Sequence, residues 1–278
     1  MKEFREARAS EMTTMRCGGT IARLYEPDTK EQLAELLGLL DAFIVLGGGS
    51  NMIFGDEPLE TPVIRLGKGF GGIERQEGVL AVGASVSTAA LLGYCLRNAL
   101  TGLEFLTGIP GTLGGALWMN AGTVDRGVMD TVLAVECLDR GGTHTLARKE
   151  VPYRYRWGGF PEGMVITGAR LDVHPSTPEE VRARVEAFAE KRRSQPRGHS
   201  AGSVFRNPPG SPAGYLIDQA GLKGFRIGGA KVSEVHANFI INDGDATSAD
   251  VRALIATVKA RVKDLFGIEL TEEVRIVD

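Results

Sequence analysis

Apolar residues recur near the C-terminus at the spacing of a single helix face. They lie within residues 248–266, at Val251, Leu254, Ile255, Val258, Val262 and Leu265. Intervals of three and four residues place side chains on one side of an α-helix, so the pattern predicts an amphipathic helix with one buried face. Pro178 followed by two glutamates begins a second, charged helix, which is predicted to run to about residue 194.

Short apolar segments separated by glycines dominate the first 175 residues. Helices are predicted at 31–40 and 87–100, and strands at 43–46, 63–66, 79–82, 131–138, 143–146 and 165–173. A last strand is predicted at 269–277. Strands dominate before residues 174–180, and helices mix with strands after them. This organisation predicts an α+β fold with two or three subdomains.

Glycine is in excess: 37 of the 278 residues are glycine, nearly twice the usual frequency of about 7%. The glycines do not recur at every third position, so a collagen-like chain is excluded. Hydrophobic residues make up 43% and charged residues 24% of the chain, as in globular proteins that bury a core. One candidate explanation of the excess is backbone that must approach another group closely.

Charge and cysteine content exclude several classes of protein. Lys and Arg number 32 against 35 Asp and Glu, a net charge of −3, so nucleic-acid binding is not expected. No apolar run approaches the roughly 18 residues of a membrane span, and the charged first 16 residues do not resemble a secretory signal. Three separated cysteines predict reduced thiols in a cytoplasmic protein. The four histidines do not cluster, so no metal site is predicted.

The first glycine-rich segment, residues 43–54, reads FIVLGGGSNMIF. A strand that runs into three glycines can present main-chain N–H groups to a phosphate. The P-loop pattern is absent, and Met52 stands where the dinucleotide fingerprint GxGxxG requires its last glycine. A simple turn between strands remains an alternative.

The second glycine-rich segment, residues 108–122, reads GIPGTLGGALWMNAG. It is uncharged, with apolar residues between its glycines, which suits a large and mostly apolar cofactor. Thr112 and Asn120 offer hydrogen bonds. A structural crossover is the alternative.

Three further segments carry polar groups suited to catalysis. On a strand, the two arginines of YRYR, residues 153–156, would share one face and could bind a carboxylate or phosphate. Ser203 lacks the GxSxG setting of a hydrolase nucleophile, but its hydroxyl can donate a proton. Glu272 and Glu273 would face opposite sides of a strand, so at most one points inward. Each of these segments also has a purely structural interpretation, and His236 is predicted to be a core histidine.

The order of these segments, from Thr13 to Arg275, resembles the UDP-N-acetylenolpyruvoylglucosamine reductase family. The matching segments are TTMRCGG, LGGGSNMI, GIPGTLGGALWMNAG, YRWGGF, SAGSVFRNP, AGLKGFRIGGAKVSEVHANFIIN and LTEEVR. The resemblance implies an α+β fold, with an FAD-binding domain of the vanillyl-alcohol-oxidase/p-cresol methylhydroxylase type and a C-terminal α+β substrate-binding domain. We expect FAD-binding subdomains at 1–67 and 68–175, a substrate domain at 176–268, and a strand at 269–278 that returns to the second subdomain.

The resemblance also implies non-covalent FAD, because no histidine that could tether the flavin lies in either loop. The cofactor-binding residues carried over are Gly47, Gly48, Gly49, Ser50, Asn51, Met52, Gly108, Ile109, Pro110, Gly111, Thr112, Gly114, Gly115 and Ala116.

The reaction implied is reduction of the enolpyruvyl group of UDP-N-acetylglucosamine enolpyruvate to UDP-N-acetylmuramate, for peptidoglycan, with NADPH as co-substrate. Hydride reaches C3 from the flavin and a proton reaches C2. Ser203 matches the family's proton donor, and Arg156 and Glu273 match residues that stabilise the enolate. Asn207 matches a substrate-binding asparagine. No protein partner is evident.

Two departures from the family pattern, and the length of the chain, affect these assignments. The family's YRxSxF fits Tyr155–Phe160, which favours Arg156 and leaves Arg154 in reserve; Gly158 replaces the serine. Glu272 stands in place of a proline before Glu273. The length is typical of the shorter class, so no tyrosine from the longer class's loop is carried over. Another FAD-dependent oxidoreductase of this fold, or a non-catalytic nucleotide-binding module, are the alternatives.

Overall fold

The computed structural model describes residues 1–76 and 78–278. The helices are α1 (Ala9–Met12), α2 (Lys30–Leu39), α3 (Thr88–Arg97), α4 (Leu113–Trp118), α5 (Pro178–Arg192), α6 (Ala213–Gln219) and α7 (Ser248–Phe266). The strands are β1 (Lys2–Arg8), β2 (Thr20–Glu26), β3 (Ile44–Val45), β4 (Met52–Phe54), β5 (Val63–Ile64), β6 (Ile73–Gln76), β7 (Val79–Gly83), β8 (Leu100–Thr101), β9 (Val132–Asp139), β10 (Gly142–Ala147), β11 (Val165–Asp172), β12 (His174–Pro175), β13 (Arg226–Ile227), β14 (Ala230–Val232), β15 (Ile240–Asn242) and β16 (Arg275–Val277). Short 3₁₀ turns, among them Glu104–Leu106, connect several of these elements.

The long helix predicted at 248–266 forms with those bounds as α7. The hydroxyl of Thr247 caps its N-terminus, and Gly267 ends it in a left-handed conformation (φ 68°). Five of its six predicted apolar positions are buried, but Leu265 is 47% exposed, so the predicted buried face is wrong at its last position. Helical spacing alone does not reveal how far the neighbouring elements extend along a helix.

The chain forms two compact units. The first contains Met1–Phe4, Arg23–Gly48 and Thr61–Arg193, and the second contains Arg5–Ala22, Gly49–Glu60 and Ser194–Asp278. The sequence-based boundary at residue 175 lies inside the first unit, because α5 belongs to that unit. The first glycine-rich loop also divides, between Gly48 and Gly49.

The first unit is built on an antiparallel five-stranded sheet of order β10-β9-β11-β7-β6. Its central strand β11 pairs with β7, where Gly168 lies opposite Gly83. Apolar residues of β7, β9 and β11 form one core with those of α3 and α4. A second set of strands, β2, β5 and β3, pairs in parallel, and α2 packs against β9. The five-stranded sheet, through its shared core with α3 and α4, positions the second glycine-rich loop, which lies between these two helices and continues into α4.

The second unit packs α6 and α7 with the antiparallel sheet β13-β14-β15. The strand predicted at 269–277 is regular only in β16, which pairs in parallel with β4 so that Arg275 lies opposite Met52. β16 therefore pairs with a strand of the 1–67 range and not with one of the 68–175 range. Ile53 and Phe205, both buried, join the core of this unit. This core brings the SAGSVFRNP segment and the C-terminal segment together.

The three cysteines are free, as predicted from their odd number and wide spacing. All three are also buried. Burial raises the pKa of Cys17 to about 11, and of Cys95 and Cys137 to about 12. At pH 8 only about one Cys17 in a thousand is then a thiolate, which is the reactive form. We expect no cysteine of the native protein to react with a thiol reagent at pH 8, and all three to react in denaturant. Rapid labelling of the native protein would contradict this.

None of the helices in the described part of the chain has the length and apolarity to cross a membrane. Within the same residues, no group of three or more His, Cys, Asp or Glu side chains is arranged to hold a metal ion.

Candidate active site

The two predicted flavin-binding loops meet in the first unit. A Cβ atom added to Gly48 would lie 2.5 Å from the Cα of Gly111, and one added to Gly47 would lie 2.9 Å from Thr112 Oγ1. Only glycine permits this approach of one backbone to another. Among residues 1–76 and 78–278, no main-chain carbonyl accepts a hydrogen bond from the N–H of Gly47 or Gly48. The cradle thus fits an anionic group such as a pyrophosphate, which main-chain N–H groups bind well.

The second loop is hydrogen-bonded to the first residue of α3. Thr88 Oγ1 donates to the carbonyl of Ile109 at 2.5 Å, and Thr88 N–H donates to the carbonyl of Gly111 at 3.0 Å. Thr112 caps α4 through its hydroxyl, and Gly114 N–H donates to Ala84 O at 2.9 Å. Thr88 was not identified from the sequence, where it looks like an ordinary residue of a helix start. These bonds fix the loop before any ligand binds.

Gly108 accommodates an arginine that sequence reasoning missed. Its φ is +73°, and an added Cβ would lie 2.9 Å from Arg192 Cδ. Arg192 ends α5 and is half-buried. Burial and the positive charge of Arg156 both lower the pKa of Arg192. From the sequence alone, Arg192 would be expected only to stabilise the C-terminus of a helix through its positive charge.

The YRYR segment forms a tight turn, so the predicted strand is wrong. Arg154 and Trp157 exchange both main-chain hydrogen bonds, at 2.9 and 3.0 Å. The guanidinium of Arg154 is exposed and stacks on Trp157, 4.4 Å from the ring centre. Arg156 is half-buried, has φ +54°, and donates from Nη1 to Gly122 O at 3.3 Å. Alternating aromatic and basic residues cannot distinguish a strand from this turn, because the turn depends on contacts elsewhere in the unit.

Asn120 holds this turn and is not available as a simple cofactor donor. Its Nδ2 donates to Arg154 O at 3.1 Å, and its Oδ1 accepts from Met129 N–H at 3.0 Å. The side chain is buried and the backbone is left-handed, with φ +44°. Such a conformation in a residue other than glycine is sparsely populated and marks a position held by its surroundings.

Gly158, which replaces the family serine, lies directly against α4. A Cβ here would lie 2.1 Å from Leu117 O and 2.7 Å from Trp118 O. Its N–H donates to Trp118 O at 2.8 Å. In this chain a serine could not occupy the position without displacing the backbone, so the substitution changes local packing as well as removing a hydroxyl.

In the second unit, Ser203 and Glu273 lie on hydrogen-bonded segments. Glu273 N–H donates to the carbonyl of Val204, the residue after the serine, at 2.7 Å. Phe205 forms a bridge with Glu272, and Arg206 N–H donates to Thr271 O at 2.9 Å. Two predicted catalytic residues far apart in sequence are thereby brought to adjacent backbone positions.

The serine segment is fixed on its other side by Asn238 of the HANFI motif. Asn238 Oδ1 accepts from Phe205 N–H at 3.0 Å, and its Nδ2 donates to Phe205 O at 2.8 Å. Its own carbonyl accepts from Val204 N–H at 2.8 Å. The side chain is only 4% exposed, so its polar atoms must be satisfied internally. The sequence drew attention to His236, whereas the asparagine two residues later orders the Ser203 segment.

The remaining predicted polar residues have specific partners. Glu272 forms an ion pair with Lys259 of α7 at 2.7 Å, which separates its role from that of Glu273. Asn207 Oδ1 accepts from Ala213 N–H, at the start of α6, at 3.0 Å. His236 is half-buried and contacts Phe239, and burial lowers the pKa of its imidazole. This agrees with a structural histidine.

The rest of the first glycine-rich loop belongs to the second unit. A Cβ at Gly49 would lie 2.0 Å from Met12 O. Asn51 Nδ2 donates to Glu273 O at 3.0 Å. Met52 begins β4 with a buried side chain. This half of the loop is thus packed chiefly against protein backbone.

Two family models match the chain in agreement with this arrangement. The model described as FAD binding domain matches residues 21–147. The model described as UDP-N-acetylenolpyruvoylglucosamine reductase, C-terminal domain, matches residues 194–277. The mixed α+β fold, the glycine cradle and these matches define an FAD-dependent oxidoreductase, which confirms the predicted fold class and cofactor.

Full-length relatives identify the family. UDP-N-acetylenolpyruvoylglucosamine reductases of Trichlorobacter lovleyi and Syntrophobacter fumaroxidans are 42% and 41% identical, each over 95% of this chain and over 89% and 81% of the relative. The crystal structure of UDP-N-acetylenolpyruvylglucosamine reductase from Thermus caldophilus matches with a TM-score of 0.89 and 36% identity, covering 100% of this chain and 98% of that one. The chain belongs to the UDP-N-acetylenolpyruvoylglucosamine reductase family, as the order of its motifs predicted.

Proposed function

We propose that the protein reduces the enolpyruvyl group of UDP-N-acetylglucosamine enolpyruvate to UDP-N-acetylmuramate, using NADPH, in peptidoglycan precursor synthesis. Two relatives that align with this chain over 89% and 81% of their own lengths are named UDP-N-acetylenolpyruvoylglucosamine reductase. The observation that carries the proposal is the pairing of the Ser203 and Glu273 segments, through the 2.7 Å bond from Glu273 N–H to Val204 O. A module that only bound nucleotides would not need a hydroxyl and a carboxyl group held in this way.

The glycine-rich loops hold the cofactor in this proposal. Bound FAD would supply the chemistry of hydride transfer between NADPH and C3 of the enolpyruvyl group. Main-chain N–H groups of Gly47, Gly48, Gly111 and Thr112 would bind its pyrophosphate, because those of Leu113 and Gly114 already donate to Val86 O and Ala84 O. The other residues of the 108–116 loop shape the surrounding site in the first unit. The close contact of Gly48 with Gly111 supports this assignment, because it leaves main-chain donors without side-chain cover.

Arg156, Ser203 and Glu273 carry the protein's part of the chemistry. Negative charge develops at the substrate's carboxylate as hydride arrives, and the guanidinium of Arg156 neutralises it. Ser203 donates its hydroxyl proton to C2. An ionised Glu273 would repel the enolate, so stabilisation by Glu273 requires the protonated form as a hydrogen-bond donor. Asn207 contributes to substrate binding.

The proposal is tested by anaerobic titration of the purified protein, monitored by its visible spectrum. We expect a yellow FAD protein that NADPH bleaches and that one equivalent of the enolpyruvyl sugar nucleotide reoxidises. UDP-N-acetylglucosamine, which lacks the enolpyruvyl group, is the control and should not reoxidise it. Reduction by NADPH without substrate-dependent reoxidation would favour another flavin oxidoreductase. Binding of the sugar nucleotide by a protein that holds no FAD would favour the non-catalytic alternative.

The two adjacent glutamates should behave differently when replaced. Glu273→Ala is expected to slow reoxidation by about 100-fold, because a donor to the developing enolate is lost. Glu273→Gln should slow it less, since the amide can still donate. Glu272→Gln, which breaks only the surface pair with Lys259, should leave the rate within about twofold. Stopped-flow flavin absorbance measures all three rates. A larger effect at Glu272 than at Glu273 would reverse the assignment.

A further inference from the structure

We propose that Asn51 is a positioning residue for Glu273, rather than chiefly a flavin contact as its place in the glycine-rich loop suggests. The proposal rests on the proposed role of Glu273. Asn51 Nδ2 donates to the main-chain carbonyl of Glu273 at 3.0 Å, in a partly buried setting, across a sequence separation of 222 residues. The bond is therefore tertiary and lies next to a group that is assigned to the reaction.

The bonds around Glu273 fix the direction of its Cα–Cβ bond. Its N–H donates to Val204 O at 2.7 Å, and its carbonyl accepts from Asn51. The main chain of Asn51 adds a further link, because its carbonyl accepts from Arg275 N–H at 2.9 Å. With both peptide groups of Glu273 fixed, the Cα–Cβ vector has one orientation. The carboxyl group then moves about a fixed Cβ, which limits the positions that it can occupy.

A side-chain bond is needed here because the strand is incomplete. β16 begins at Arg275, and its ladder with β4 starts at the pair Arg275 and Met52. Glu273 and Val274 lie outside that ladder, in a bend. The amide of Asn51, the residue before β4, supplies a donor where the ladder has none. Since a displacement of about 1 Å in a reacting group can cost about 100-fold in rate, one such bond is important for catalysis.

The decisive variants are Asn51→Ala and the isosteric Asn51→Asp, which removes the donor without opening a cavity. We expect both to bind FAD within about threefold of wild type and to be reduced by NADPH at the wild-type rate. Reoxidation by substrate should slow about 30-fold or more, as expected for a misplaced reacting group. Asn98→Ala is the matched control: its Nδ2 also donates to a main-chain carbonyl, Tyr94 O at 2.8 Å, at the end of α3. This variant should lose a comparable hydrogen bond and keep the wild-type rates of flavin reduction by NADPH and of reoxidation by substrate.

A double-mutant cycle separates positioning from general loosening. If Asn51 acts through Glu273, Asn51→Ala combined with Glu273→Ala should reoxidise no more slowly than Glu273→Ala alone. Additive losses, a large loss of FAD affinity, or normal reoxidation by both Asn51 variants would overturn the inference. Failure of the proposed function looks different: wild type would show no substrate-dependent reoxidation, or Glu273→Ala would leave it unchanged. Measuring Glu273→Ala first distinguishes the two failures.

Discussion

Replacing Ser203 with alanine should leave reduction of the flavin by NADPH at the wild-type rate and slow its reoxidation by the enolpyruvyl substrate by about 10²- to 10⁴-fold. This is the range that a positioned general acid contributes to a rate. The main chain around Ser203 is held by its bridge with Phe239 and by the bond from Val204 N–H to Asn238 O. Alanine preserves both, so the difference between the two proteins reports the hydroxyl group.

Single-turnover stopped flow measures the two half-reactions separately. Ser194→Ala, an exposed serine that follows α5, is the control and should match wild type in both. Reoxidation of the Ser203→Ala protein at the wild-type rate would show that the proton comes from another group. Equal slowing of both half-reactions would indicate damage to the flavin site instead of loss of a proton donor.

Replacing Gly48 with valine should yield a protein that purifies without FAD. A Cβ at this position would lie 2.5 Å from Gly111 Cα and 3.1 Å from its carbonyl carbon. Backbone atoms cannot move aside as the end of a flexible side chain can, so the two loops must separate. The main-chain donors proposed to bind the pyrophosphate would then lose their arrangement, and we expect the dissociation constant for FAD to rise by more than about 100-fold.

Gly38 offers a matched control for that substitution. It lies exposed in α2, and an added Cβ would meet nothing within 4 Å. Gly38→Ala should bind FAD normally and raise the free energy of unfolding by about 0.5–1 kcal/mol, since alanine loses less conformational entropy in a helix. Flavin content, flavin fluorescence titration and urea denaturation measure these effects. Normal flavin content in Gly48→Val would contradict the assignment of the cradle.

The excess of glycine predicted close approach of the backbone to another group, but the sequence did not show which protein segments the glycines approach. Glycine-rich loops predicted close approach of the backbone to a ligand. In the structure Gly48 first approaches Gly111, and Gly49 approaches Met12. Each pair brings together separate segments of the chain. Local patterns carry no information about such pairs. The first depends on how the end of β3 packs on the loop after α3 within the first unit, and the second on how α1 packs within the second unit.

The error at residues 153–156 has a related cause. Alternation of aromatic and basic residues has the period of a strand. The tertiary setting imposes a turn instead, closed by the paired bonds of Arg154 and Trp157 and braced by Asn120. Choosing Arg156 over Arg154 relied on the spacing to Phe160, and the structure gives the two arginines different surroundings, one half-buried and one exposed.

The sequence alone predicted the long helix with its buried face and the reduced cysteines. The order of its motifs also indicated the FAD-dependent family. These follow from periodicity and residue chemistry, which act within one element or one loop. The tertiary structure decided which residues become neighbours: Gly48 with Gly111, Ser203 beside Glu273, and Asn51 bonded to Glu273 across 222 residues. Such contacts arise from the packing of whole elements around a shared core, and a pattern within one segment does not specify the segment that packs against it.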